Sequence, residues 1–210
     1  MTHSFRHPTA TPAWGNTVLA TPSPGERFTR VGKRQWGYKT QDVDEYLDRA
    51  EADLHRSSGR NKPLVSSSDV REVVFGRAKG GYVPADVDAA LDQLEDAVAR
   101  QENRAYIATH GIKAWEEEVG ALSDLIFGRL ERPDGHRFRR PSGANTRGYA
   151  VVDVDALCHA IVEELSTAEA VHPDRVRTAV FGPALREQAY EEQQVDAFLD
   201  ALVQMLLALH

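Results

Sequence analysis

The chain contains residue types that often carry catalysis or bind metals, but their spacing does not assemble a site. The eight histidines are scattered along the chain, and no Gly-rich phosphate loop is present. The single cysteine, Cys158, has no second cysteine for a disulfide and no companion for a zinc ligand set. The remaining candidates for such chemistry are four aspartates that each follow a valine in a repeated pattern: Asp44, Asp88, Asp155 and Asp196.

Each of these aspartates belongs to a short frame that occurs four times, in segments called copies one to four below. Four of the six tyrosines are followed, five residues later, by a Val-Asp pair, which indicates an internal repeat. The tyrosine, valine and aspartate of the copies are Tyr38, Val43 and Asp44; Tyr82, Val87 and Asp88; Tyr149, Val154 and Asp155; and Tyr190, Val195 and Asp196. Because each carboxylate belongs to its own copy, without a partner at metal-ligand spacing, we predict a structural role. No catalytic residue, metal site or cofactor is expected.

Helix capping explains the spacing within a copy. If the residue after the tyrosine is the N-cap, Pro84 falls at the first helical position, where a missing N–H costs nothing. The tyrosine and valine then occupy N′ and N4, two positions that pack together as a hydrophobic staple. The residues at N3 can reach back to free backbone N–H groups: Asp42, Asp86, Asp153 and Gln194. Each copy is therefore predicted to be a loop followed by an amphipathic helix.

Other positions of the frame carry further expectations. The glycine before three of the tyrosines (Gly37, Gly81, Gly148) would allow a tight turn into the helix, and Ala189 in copy four predicts a changed turn. The Val-Asp aspartate lies at N5, beyond capping reach. We expect it to accept hydrogen bonds from the preceding loop, or to pair with one of three loop cations: Arg30, Arg77 or Arg147. Cys158 occupies a slot that holds leucine in the other copies, which favours a small buried hydrophobe over a reactive thiol.

The segments upstream of the glycines fall into two types. Copies two and four carry a short amphipathic helix that ends in a shared Val-Phe-Gly, over residues 67–76 and 172–182. Copies one and three instead carry a basic loop after a phenylalanine, from Arg27 and from Arg137. The alternating order predicts that the whole chain is a duplicated pair of copies.

The sequence therefore predicts an all-α fold of tandem helix-loop-helix repeats, arranged as two similar half-domains. The one place where strands are expected is a small β-hairpin in the loop from Phe28 to Trp36. The first half-domain is expected over residues 27–108 and the second over 109–210, with a leading helix over 112–130 that carries a heptad-like apolar stripe. Residues 1–26, rich in proline and without apolar periodicity, are expected to be a disordered segment.

Composition and charge restrict the classes of partner. A hydrophobic content of 41% allows a core, and a formal charge of −7 argues against broad attraction to phosphate backbones or anionic lipids. No stretch approaches the roughly 20 apolar residues that cross a bilayer, and the N-terminus lacks the apolar run of a secretory signal. We therefore expect a cytoplasmic protein that does not bind nucleic acid. DNA binding through a helix-turn-helix arrangement is a third and less favoured hypothesis, because the candidate second helices are acidic and would repel phosphate.

The segment FTRVGKRQWGYKTQDVDEYLDRAEADL, from Phe28 to Leu54, resembles the DivIVA N-terminal domain, and GYVPADVDAALDQL from Gly81 follows the same pattern. That domain belongs to a scaffold family of cell division and polar growth in Gram-positive bacteria. Four copies without a long downstream coiled coil resemble the actinobacterial DivIVA-domain repeat proteins. The resemblance covers most of residues 28–206. It implies a dimer, a protein scaffold as partner, location at the pole or septum, and a loop tip that enters the membrane.

Our first functional hypothesis is a non-enzymatic interaction module or adaptor, linked to cell division or polar envelope growth. Such a protein would pack against itself as a homodimer or against a division or polarity scaffold. The apolar C-terminal helix is either central core or a self-association face. The residues of that candidate face are Phe198, Leu202, Met205, Leu206 and Leu209.

The alternative hypothesis is peripheral membrane binding through the loop of copy one. A tryptophan flanked by cations suits a lipid interface, whereas the competing interpretation has this tryptophan cover the core of its half-domain. The residues of the candidate contact, with membrane or partner, are Arg30, Val31, Lys33, Arg34 and Trp36.

Overall fold

The computed structural model describes residues 26–57, 62–143, 145–167 and 171–209, and most of them are helical. The chain divides into two compact units, one that ends at Gly111 and one that begins at Ile112. The division falls shortly after the predicted boundary at residue 108, because one helix continues without a break to His110. The predicted disordered segment, residues 1–26, lies outside the described residues except for Glu26.

The described residues of the first unit form three helices and two short strands. Its longest helix begins at Pro84 and is capped at its C-terminus by Gly111, whose φ of 87° is a backbone conformation that glycine adopts without strain. In chain order the elements are β1 (Trp36–Tyr38), α1 (Thr40–Arg56), α2 (Ser67–Glu72), β2 (Arg77–Lys79) and α3 (Pro84–His110).

Where the structure describes the second unit, it contains four α-helices and three short strands. Its first helix covers the predicted leading helix, residues 112–130. In chain order the elements are α4 (Ile112–Leu130), β3 (Arg147–Ala150), α5 (Val151–Ser166), α6 (Asp174–Arg177), β4 (Pro183–Leu185), β5 (Ala189–Tyr190) and α7 (Glu192–Leu209).

The fold is mainly helical, as expected, and it also contains two small antiparallel sheets. β1 pairs with β2, so Trp36 lies opposite Lys79, and β3 lies between β4 and β5. The hairpin expected within the Phe28 to Trp36 loop is wrong, because the strand that ends this loop pairs with a segment of copy two. The strands are two to four residues long, too short for an alternating pattern to reveal them.

The short helices of copies two and four are also shorter than predicted. α2 ends at Glu72 and α6 at Arg177, so neither reaches the Val-Phe-Gly tripeptide. Val73, the residue that follows α2, already has an extended backbone conformation. Extended backbone suits β-branched residues, and it carries the next phenylalanine toward the core of the unit.

Each unit has its own apolar core, built from the helix faces that the copies predict. The four valines of the frame are at most 1% exposed. Cys158 is buried in the second unit, and burial raises the pKa of its thiol to about 12. The thiol is therefore protonated at neutral pH and packs as a small apolar side chain.

A buried ion pair distinguishes the core of the first unit. Glu95 on α3 is 1% exposed, and its Oε1 accepts hydrogen bonds from Nε (2.8 Å) and Nη2 of Arg71 on α2. In the second unit the position equivalent to Glu95, thirteen residues after the tyrosine, holds Val203. The arginine equivalent to Arg71 is kept in the second unit as Arg177, whose Nη1 lies 3.0 Å from Oδ1 of the exposed Asp174.

We predict that Glu95→Val lowers the free energy of unfolding by about 3–5 kcal/mol, because it leaves the guanidinium of Arg71 buried without its carboxylate. The double variant Arg71→Met with Glu95→Val should recover most of this loss, since apolar pairs of similar volume often replace buried ion pairs at no cost. Urea unfolding followed by circular dichroism measures both. Equal losses in the single and double variants would contradict the interpretation.

Candidate functional site

The two copies within each unit are joined through the N-termini of their long helices. The backbone N–H of each N-cap residue donates to the carbonyl of the residue that follows the phenylalanine of the other copy. The four bonds, which we call the clasp, are Lys39 to Gly76 (2.8 Å), Val83 to Thr29 (2.8 Å), Ala150 to Gly182 (2.8 Å) and Glu191 to Arg139 (2.9 Å). The prediction that the residue after the tyrosine is the N-cap is confirmed for α1, α3 and α5.

Side chains at N3 strengthen the clasp in the second unit. Asp153 Oδ2 accepts from the backbone N–H of Gly182 at 2.7 Å, and Gln194 Oε1 accepts from that of Arg139 at 2.9 Å. These side chains were expected to reach back to N–H groups of their own helix, but they bind the other copy. In this unit the backbone of the residue after each phenylalanine is therefore held on both its N–H and its C=O.

Aromatic rings form a second layer of contacts between copies. Each phenylalanine packs against the tyrosine of the other copy, with ring centroids 5.1–5.5 Å apart. Pairs at this spacing are worth about 0.5–1.5 kcal/mol beyond the area they bury. The four pairs are Phe28–Tyr82, Phe75–Tyr38, Phe138–Tyr190 and Phe181–Tyr149.

The tyrosine hydroxyls reach the N5 aspartates of the other copy. Three such hydrogen bonds are Tyr82 to Asp44 (3.1 Å), Tyr190 to Asp155 (3.0 Å) and Tyr149 to Asp196 (3.0 Å). A neighbouring copy thus supplies the donor that was expected from a loop or loop cation. Sequence reasoning missed this bond because it considered each copy alone.

Asp155 also shows the predicted kind of loop contact, although with another cation. Its Oδ2 accepts from the backbone N–H of Gly135 at 2.7 Å, and its Oδ1 lies 2.8 Å from Nη1 of Arg137, which is itself buried. Arg147, the cation named from sequence, is exposed on β3. The carboxylate of Asp155 is therefore neutralised by a buried guanidinium and has no free face for chemistry.

Burial keeps the tyrosine hydroxyls protonated, as their role of donors requires. It raises the pKa of Tyr190 to about 12, and the hydrogen bond to Asp155 also raises it. Burial is the main cause of the raised pKa of Tyr149 and of Tyr82 as well, with Asp196 and Asp44 adding to it. Tyr82 belongs to one buried cluster with Val43 and Val87, while the staple contact of each tyrosine with its own valine stays a prediction.

The glycines before the tyrosines have a different role from the one predicted. Tyr38 and Tyr82 exchange backbone hydrogen bonds of 2.9 and 2.8 Å, and this pairing leaves no room for a side chain beside it. A Cβ on Gly37 would lie 2.2 Å from the carbonyl oxygen of Tyr82, and one on Gly81 would lie 2.2 Å from that of Tyr38. The glycines therefore permit close approach of two chain segments, and they are not required for a turn.

The second unit has one such glycine and one alanine. A Cβ on Gly148 would lie 2.0 Å from the carbonyl oxygen of Tyr190. On the other side Ala189 is fully buried and follows a single turn of 3₁₀ helix that begins at Arg186, with a φ of 54°. A changed turn before copy four is therefore observed, as Ala189 predicted.

We predict that Gly81→Ala lowers the free energy of unfolding by about 1–3 kcal/mol or more, because its methyl group overlaps a backbone carbonyl that cannot move aside. Gly120→Ala is the matched control. A Cβ there meets nothing within 4 Å, so this change should be neutral or stabilise the helix by up to about 1 kcal/mol. Urea unfolding followed by circular dichroism compares them, and similar effects of both changes would contradict the role assigned to Gly81.

Stability should also decrease at alkaline pH. The folded-state pKa of Tyr190 is about 12, whereas an unfolded tyrosine ionises at about 10, so the unfolded state loses its proton first. The contribution of this tyrosine is complete below about pH 10 and is lost progressively as the pH rises toward 12. Urea unfolding across this range measures the slope. Tyr190→Phe should make the slope shallower, and an unchanged slope in that variant would assign the effect to other groups.

A basic surface lies at the β1–β2 end of the first unit. Trp36 is 57% exposed, and Nζ of Lys79 on the opposite strand lies 5.7 Å from the centroid of its ring. We call this surface the basic tip; its residues are Arg30, Lys33, Arg34, Trp36, Arg77 and Lys79. Copy one supplies four of them and copy two the last two, which sequence reasoning missed because only the strand pairing brings them there.

The structure separates the residues of the predicted contact loop. Arg30, Lys33, Arg34 and Trp36 are exposed, which contradicts the interpretation that Trp36 covers the core. Val31 is half-buried and its N–H donates to the carbonyl of Gly81 at 2.9 Å, so it belongs to the loop backbone that joins the copies. The equivalent end of the second unit has Arg147 opposite Leu185 and no tryptophan.

The predicted self-association residues lie mostly inside the second unit. Phe198, Leu202, Met205 and Leu206 are at most 6% exposed, and only Leu209 of that set is exposed. The apolar face of α7 thus packs in the core, where α4 and α6 both lie against it. In this conformation it leaves no continuous apolar face for a second molecule.

Within the described ranges, no three or more His, Cys, Asp or Glu side chains are grouped to hold a metal ion. None of the helices in that part of the chain is both long and apolar enough to cross a membrane. Comparison of the chain with protein-family models, curated proteins and solved structures found no match.

Proposed function

We propose that this chain is a non-enzymatic protein–protein interaction module, linked to bacterial cell division or polar envelope growth. Each unit is an intrachain pair of DivIVA-like copies, and the whole chain is a duplication of that pair. The observation that supports this proposal is the clasp, because the same backbone bond joins equivalent residues in all four copies.

The polar groups of the motif support a binding role over a chemical one. Tyrosine hydroxyls and N5 aspartates satisfy each other within the units, and three of these pairs have O–O distances of 3.0–3.1 Å. Cys158, the one thiol, is protonated because burial raises its pKa to about 12. The hydroxyls and carboxylates of these pairs are thus engaged in joining two copies.

The resemblance to the DivIVA domain supplies the cellular context of the proposal. The resemblance implies that two DivIVA-like domains form a dimer. In this chain the two copies of one unit pair with each other within a single molecule. The exposed surfaces, chiefly the basic tip, are then available to protein partners. The partner that we propose is a division or polarity scaffold inside the cell, located at the pole or septum.

Membrane binding is the second candidate, and the exposure of Trp36 favours it. An indole among cations suits the headgroup region, and each cation near an anionic surface adds about 1 kcal/mol. Lys33, Arg34 and Arg77 are exposed beside it. The second unit offers no equivalent tryptophan, so this function would reside in the first unit alone.

Fluorescent tagging and a two-hybrid screen against division scaffolds test the first proposal. We expect signal at poles or septa and binding to a scaffold of the DivIVA family. Gly81→Ala, which disrupts the crossing of the Tyr38 and Tyr82 backbones, should abolish both, whereas Glu163→Lys, an exposed change on α5, should keep both. Diffuse signal of a folded wild-type protein, together with no scaffold partner, would contradict the proposal.

Sedimentation with vesicles that contain an anionic phospholipid tests the membrane alternative. If it holds, the wild-type protein pellets with the vesicles at low salt, and Trp36→Ala and Lys33→Glu weaken this binding. Arg147→Glu, at the equivalent end of the second unit, is the control and should bind as the wild type does. Protein that stays in the supernatant with such vesicles would exclude the alternative.

A further inference from the structure

We propose that the basic tip of one molecule binds the outer face of α4 on a second molecule of this protein. The inference rests on the proposed function as an interaction module and names one partner of that module, the chain itself. It differs from the expected self-association through α7, because α7 is buried while both of these surfaces are exposed.

The basic tip contains three exposed cations whose positive charge is available to a partner. Lys33, Arg34 and Arg77 have no carboxylate within 4 Å in the part of the chain that the structure describes. Arg30, by contrast, pairs with Glu26 at 2.6 Å, and Lys79 lies over the ring of Trp36. The tip therefore presents an exposed indole surrounded by cations, a surface suited to an acidic partner with an apolar centre.

The outer face of α4 has the complementary composition. It combines exposed carboxylates with exposed apolar side chains, of which Leu125 is 62% and Phe127 is 42% exposed. Among the residues that the structure describes, no Lys, Arg or His side chain lies within 4 Å of a carboxylate of this face. Its residues are Glu116, Glu117, Glu118, Asp124, Leu125 and Phe127.

Two glycines on the same side of α4 point to close contact. Gly120 and Gly128 lie inside the helix and are exposed, and a Cβ at either position would meet nothing within 4 Å. Packing within the unit therefore does not require them, although glycine inside a helix destabilises it relative to alanine. A surface without side chains at these points lets a large flat ring, such as that of Trp36, approach the helix backbone.

The proposed contact joins two different surfaces, so each molecule keeps one free tip and one free α4 face. Such head-to-tail contacts form open chains unless the rotation between molecules closes a ring. The net charge of −7 opposes association of whole molecules, so the attraction depends on local charge complementarity. Added salt screens exposed charges, and association should therefore weaken as the salt concentration rises.

Sedimentation velocity of the full chain over a wide range of concentrations tests the inference, when the wild type is compared with variants in which charges of the two surfaces are reversed. We expect the mass of the wild type to rise with concentration at low salt and to fall toward the monomer at high salt. Lys33→Glu with Arg34→Glu, and separately Glu117→Lys with Glu118→Lys, should each weaken association by about tenfold or more. A variant that carries all four changes should regain association, because the exchanged charges attract again.

Two exposed positions outside the proposed contact serve as controls. Arg147→Glu on β3 and Glu163→Lys on α5 change charge by similar amounts and should leave association unchanged. A wild type that stays monomeric at all concentrations, association that resists both reversals, or a four-change variant that does not recover would each overturn the inference. A monomeric protein that still binds a division scaffold would overturn only this inference, and the proposed function would stand.

Discussion

The contact between the two tyrosine backbones of a unit is the constraint on which the other features depend. Tyr38 and Tyr82 exchange two backbone hydrogen bonds, and the residues before them must be glycine because their Cβ atoms would overlap the facing carbonyls. Once this crossing is made, each tyrosine ring lies against the phenylalanine of the other copy and each helix begins beside that copy's backbone. A single copy would leave these N–H groups and hydroxyls unsatisfied, at about 1–3 kcal/mol for each buried group.

The sequence was sufficient to predict the parts of the fold that are local. The repeated frame, the helix start after each tyrosine and the leading helix over residues 112–130 follow from capping and periodicity, which act over a few residues. The strands, the acceptor of each tyrosine hydroxyl and the presence of Lys79 beside Trp36 all depend on which copies pair. Pairing brings together residues about 40 positions apart, and nothing in a local pattern records it.

The pairing is not symmetric in detail. Eight residues after the tyrosine, copies one and four have an aromatic residue, and copies two and three have an aliphatic one; the four residues are Tyr46, Phe198, Ala90 and Leu157. Each aromatic residue packs on a phenylalanine of the other copy, Tyr46 on Phe75 and Phe198 on Phe138. Those two phenylalanines are buried, whereas Phe28 and Phe181, in the copies that carry the aromatic residue, are only half-buried. Of the two phenylalanines that pack on the motif tyrosines in each unit, one is therefore covered more completely, because an additional ring packs on one side only.

Pairing within one chain also removes a restriction that a homodimer imposes. In a symmetric dimer both halves carry the same residues, so a surface built at the twofold axis repeats every side chain. Here the β1–β2 end takes Trp36 from one copy and Lys79 from the other, and the corresponding end of the second unit takes Arg147 and Leu185. The same backbone crossing therefore supports two ends of different chemistry, one basic around an exposed indole and one partly apolar. Because the clasp is made by backbone N–H and C=O groups rather than by these surface side chains, the side chains of each end can differ without a change in the crossing that supports them.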